Sequence, residues 1–88
     1  MNMFLGLVPD EVDALAIEFD ARAGDIETLV ASLTAKLAAT TWTGADRDHF
    51  QSDWDGQLTA GLRNVAASLR DAATIARANA EQQRQASS

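Results

Sequence analysis

Cysteine and tyrosine are absent from this sequence, and proline, histidine and lysine occur once each. Without cysteine there is neither a disulfide framework nor a thiolate metal site, so core packing must hold the fold together. The absence fits either side of a membrane. The only proline is Pro9, so nothing of that kind interrupts the long segments that follow. Basic residues are few, 7 against 13 acidic ones, for a net charge of −6. A phosphate backbone needs a basic patch to displace its counterions, and this chain has none to offer; nucleic acid is excluded as a partner. Docking on an anionic membrane surface is disfavoured for the same reason. No apolar run approaches the ~20 residues of a membrane span, so no stable membrane insertion is expected. The opening Met1–Val8 is apolar but has no basic start and no small-residue cleavage pattern. Pro9-Asp10-Glu11 cuts it short, so it does not read as a signal peptide.

What is present is a helical chain of 88 residues, 47% hydrophobic, enough for one small domain. From Val12 to Leu37 the apolar positions Val12, Ala16, Phe19, Ala23, Ile26, Val30, Leu33 and Leu37 step by four and three, which places them on one helical face. Leu15 and Leu29 widen that face, and Ile17 falls outside it. Asp10 or Val8 suits the start, with Pro9 and Glu11 in the first turn. Gly24 weakens the segment by about 1 kcal/mol relative to alanine, which a helix of this length tolerates. A second stripe comprises Trp54, Leu58, Leu62, Val65, Leu69, Ala72, Ala76 and Ala80, with Phe50 at its edge. Its alanine-rich later half favours close helix packing. The expected organisation is an apolar N-terminal tail over 1–8, a helix over about 9–39, a turn over 40–44, a second helix over about 45–81, and a flexible polar tail over 82–88.

The only strong punctuation is Thr40-Thr41-Trp42-Thr43-Gly44. Thr40 and Thr41 are β-branched and bond to their own backbone. Thr43 is expected to cap the second helix, with Asp46 three residues on and Gly44 at the first helical position. The bare Gly44 leaves room for Trp42 to fold back over the helix ends. A connection this short makes the helices antiparallel, so the fold class is all-α, a two-helix hairpin. Two helices cannot surround their own bulky side chains. Association into a four-helix-bundle dimer is therefore expected.

Trp42-Thr43-Gly44 at the centre of a two-helix chain, followed by Phe50, Trp54 and Leu58, resembles the WXG family of small type VII secretion substrates. The resemblance spans about Asp10 to Ala80. It implies a helical hairpin forming a homodimer or a heterodimer with a related hairpin, exported folded, bound by the secretion ATPase, and without catalysis or cofactors. Trp42, Thr43 and Gly44 would be the turn and secretion motif. Phe19, Ile26, Val30, Leu33, Phe50, Trp54, Leu58, Leu62, Val65 and Leu69 would serve packing and interaction. Abundant alanine and six arginines to one lysine match GC-rich actinobacteria, where such systems occur. The chain departs from the family in one respect. Such substrates often carry Tyr-x-x-x-Asp/Glu after the second helix, and there is no tyrosine here. Either the chain relies on another subunit's tail, or its own signal differs.

Other readings of single residues are weaker. His49 shares a helical face with Asp46 and Asp53, but no second histidine supports a metal site, and a solvated acidic first turn is the expectation. The serines lack any triad context. Phe50 and Trp54 are expected to pack in the hairpin or the dimer seam, or to leave an edge exposed for docking. Met3–Val8 either covers a neighbour's helices or is a free terminus. The alternative to an exported protein is an intracellular helical adaptor or antitoxin-like module.

Overall fold

The structure, a computed structural model, describes residues 6–87. Helix α1 runs Pro9–Ala39 and helix α2 Ala45–Asp53; a π-helical turn at Trp54–Leu58 leads into helix α3, Thr59–Ser87. α2, the π turn and α3 form one continuous helical arm, with αR backbone at the junctions Asp53, Trp54 and Thr59. That arm packs antiparallel on α1 as a hairpin. The rod measures 69 × 18 × 14 Å, with a radius of gyration of 19.7 Å. A compact domain of this length would have a radius near ~12 Å.

Each helix end follows from a local cause. Val8 stands at the N-cap of α1 in extended conformation with Pro9 at the first helical position, where the missing N–H costs nothing. At the other end the Thr40 hydroxyl donates to the Lys36 carbonyl at 2.6 Å, and its N–H donates to the Leu37 carbonyl at 3.2 Å. The N-cap of α2 is Gly44, and Thr43 does not cap the helix as the sequence suggested. Gly44 has φ 111° and ψ −175°, a region open essentially to glycine alone. The glycine of Trp-x-Gly is thus demanded by the backbone of the bend.

The core is a seam of small residues. Ala16, Ala23 and Val30 on α1, and Thr59, Ala66, Ala73 and Ala80 on α3, are buried, each seven residues from the next. A strict seven-residue repeat keeps one stripe facing its partner along a coiled pair. Alanine there lets the helices approach closely. The larger residues of the first stripe flank the seam: Val12, Phe19, Ile26 and Leu37 are half-buried, and Leu33 is exposed.

The second stripe shifts more. Leu58 and Val65, expected inside, are 46% and 50% exposed, while their neighbours Thr59 and Ala66 are buried. Two causes combine. Close packing selects the small neighbour for the seam and puts the bulky residue on its flank. In addition, the π turn inserts one residue, so Trp54 and Thr59 share the seam five positions apart rather than four. The Thr59 hydroxyl is satisfied by donating to the Asp55 carbonyl at 3.0 Å. The second segment is therefore interrupted after all, by a π turn and not by proline.

α3 also extends to Ser87, beyond the expected end near 81. Its last turns are tied down by Arg84, which donates to Asp10 at 2.8 Å and Asp13 at 2.6 Å. Of the N-terminal apolar segment, residues 1–5 lie outside the described residues.

Candidate interaction surfaces

The hairpin is a flat ribbon, and the heptad decides what each broad face carries. Residues four after a seam position lie about 40° to one side of it, and those three after lie about 60° to the other. On the first side, positions 13, 20 and 27 of α1 are acidic and positions 70, 77 and 84 of α3 are arginine. They meet in antiparallel register: Arg70 with Glu27, Arg77 with Asp20, Arg84 with Asp13. Arg70 grips Glu27 with both terminal nitrogens, at 2.6 and 2.8 Å, the bidentate geometry that guanidinium and carboxylate favour. The Arg70 hydrogen bond holds the Glu27 carboxyl below the usual carboxylate range, and the same contact raises Arg70. Hydrogen bonds to Asp10 and Asp13 raise Arg84 as well. This ladder was legible in the sequence as arginines and acids at matching seven-residue spacing, a signal that a search for apolar stripes passes over.

The opposite face is apolar. It carries the half-buried Phe19, Ile26, Leu62 and Leu69, flanked by the exposed Leu15, Leu29, Leu33, Leu58 and Val65. Of the predicted packing residues, Phe19, Ile26, Leu33, Leu58, Leu62, Val65 and Leu69 lie on this side, Val30 and Trp54 are buried, and Phe50 is exposed near the bend.

At the bend this face runs into a groove of about 300 Å³ lined by Leu33, Lys36, Leu37, Thr40, Trp42, Phe50 and Trp54. Trp54 is its anchor, 8% exposed, its indole N–H donating to the Thr34 hydroxyl at 2.9 Å. Trp42 and Phe50 pack on each other with ring centroids 5.5 Å apart, tilted by 47°. They remain 39% and 41% exposed. Trp42 therefore walls a groove where it was expected to seal the hairpin end. Thr43 and Gly44 are exposed beside it.

The remaining candidates stay apart. His49 Nε2 lies 3.4 Å from Asp53 on an exposed helical surface. Among the described residues no group of three or more His, Cys, Asp or Glu side chains is placed to hold a metal ion. Among those residues, too, no helix is long and apolar enough to cross a membrane.

No protein-family model, no curated protein and no solved structure matches this chain.

Proposed function

We propose that this chain is a WXG-type protein of a type VII secretion system, acting by binding and without catalysis, as substrate or as co-secreted partner. The observation that carries the reading is the bend. Trp42 and Gly44 stand at the turn of a helical hairpin, where the glycine meets a backbone requirement and the tryptophan lines an open groove. In this reading a second hairpin, identical or related, covers the apolar face and completes a four-helix bundle. The exposed area supports that pairing. The chain presents 6140 Å² to solvent, against about 5,000 Å² for a compact monomer of its mass. The excess is of the order of one partner's share, roughly 800 Å², of a stable interface. The exposed leucines and valine of that face, Leu15, Leu29, Leu33, Leu58 and Val65, are the apolar surface such a pair would bury.

The groove at the bend then lies at the end of the dimer seam, where the secretion ATPase or a partner's tail would reach it. Because these 88 residues hold no tyrosine, the Tyr-containing half of the signal would come from the partner. The test is export of the tagged chain from cells with an active type VII system and from matched cells lacking its ATPase. The protein should appear outside only in the first, and Gly44→Pro or Trp42→Ala should reduce it. Retention in both strains, with all candidate partners present, rejects the reading. The missing tyrosine favours a second reading, an intracellular helical adaptor, and ATPase-dependent export eliminates it.

A further inference from the structure

The ladder stops one rung short at the bend end. Arg63 stands seven residues before Arg70, and the register places position 34 of α1 opposite it, but that residue is Thr34. Its hydroxyl is already committed, donating to the Val30 carbonyl at 2.7 Å and accepting from Trp54. Glu27, the nearest acid on the ladder, spends both oxygens on Arg70. Among the described residues Arg63 is left exposed and without an ion pair, in a chain of net charge −6. It does not face open solvent alone. An open groove of about 710 Å³ lies on this same face, lined by Arg63, Thr34 and Glu27 with the apolar Val30, Ala31, Ala35 and Ala38.

We propose that this groove is a second docking site and that its occupant is an acidic amphipathic helix of another polypeptide. A carboxylate from that helix completes the fourth rung on Arg63, whose planar fork suits it. An apolar side chain one turn away on the same helix rests on Ala31, Ala35 and Ala38, which are small enough to admit it. Charge selects against the alternatives. A single free arginine beside Glu27 does not bind a phosphate backbone, and a basic helix gains nothing from Arg63. The site lies on the face opposite Leu29 and Leu33, so a hairpin seated on the apolar face leaves it open. The inference does not depend on the export reading.

The probe is a blocked helical peptide of about five turns with Leu and Glu repeated four residues apart, titrated into the isotope-labelled full chain and followed by NMR. Saturable shifts are expected at Ala31, Ala35, Ala38 and the Arg63 side chain. Replacing every Glu of the peptide by Gln should weaken binding about fivefold, the scale of one charge-assisted contact at a surface. Arg63→Gln should do the same to the original peptide. Thr34→Glu, which supplies the fourth carboxylate from within, should compete for Arg63 and weaken binding as much. Absence of shifts at millimolar peptide overturns the proposal. So do shifts confined to Leu29 and Leu33, or equal binding of the Glu and Gln peptides; neither peptide arm requires a variant to fold.

Discussion

The two broad faces of the hairpin are built on one heptad, yet one is paired along most of its length and the other is not. On the ladder side, three arginines of α3 meet three acids of α1 across the ribbon, and only the position opposite Arg63 lacks its acid. On the other side the flanking residues are leucine, valine and phenylalanine, left exposed or half-buried by the described residues. The difference teaches where each kind of interaction does its work. Exposed ion pairs add little stability, but they disfavour slips of about half a heptad, because such a slip would set most of the arginines opposite uncharged positions. Apolar side chains add most when water is excluded, and a two-layer ribbon excludes it only along the seam. The ladder thus favours the antiparallel hairpin, while the leucine face is the one that the proposed pairing would cover.

The largest effect is expected from removing what both faces share at the bend. Trp54→Ala should cost about 3–5 kcal/mol in chemical denaturation, since it deletes a buried aromatic whose indole N–H also satisfies Thr34. A loss below 1 kcal/mol would show that Trp54 serves docking and not the fold. Next is the seam itself, where Ala73 is fully buried. Ala73→Leu should cost about 1–3 kcal/mol by forcing the helices apart, and it should disturb both faces equally. A neutral result would mean that the helices are not closely packed there.

The third change separates the faces. Leu29→Ser with Leu33→Ser should leave the unfolding of the single hairpin nearly unchanged but weaken association at least tenfold, given about 1.5 kcal/mol for burying each leucine. Sedimentation velocity reads this directly, and unchanged association would assign the interface elsewhere. The smallest effect belongs to the ladder. Arg70→Gln should scarcely alter stability at neutral pH, while changing its acid dependence. Glu27 in the hairpin is held below its unfolded value, so on acidification the unfolded chain takes up that proton first. The stabilisation from this rung is complete above the unfolded carboxylate range and is lost as pH falls through the lower folded value. Without Arg70, that part of the acid-induced loss should disappear from pH-dependent thermal melts.

Much of this was legible in the residues. Helix α1 follows from its stripe, from Pro9 at the start and from Thr40 at the end, because these signals act within a turn of the chain. Gly44 could be recognised as special, but its task could not: whether glycine follows a cap or is the cap depends on the angle at which the second arm leaves the bend. The candidate site was half legible. Trp42 and Trp54 drew attention by size, yet which one would be buried was decided by Thr34, twenty residues before Trp54 and brought to it only by the hairpin.

Local chemistry, then, determined that the chain is helical, that it folds back at residues 40–44, and that it carries heptads of alanine, leucine, acid and arginine. Periodicity and breakers need no partner to act. Tertiary structure alone decided which row of each heptad became the seam. Two antiparallel helices approach most closely where side chains are smallest, so alanine took the centre and leucine the flank. The π turn then shifted the second arm by one residue, which put Trp54 inside and left Leu58 exposed.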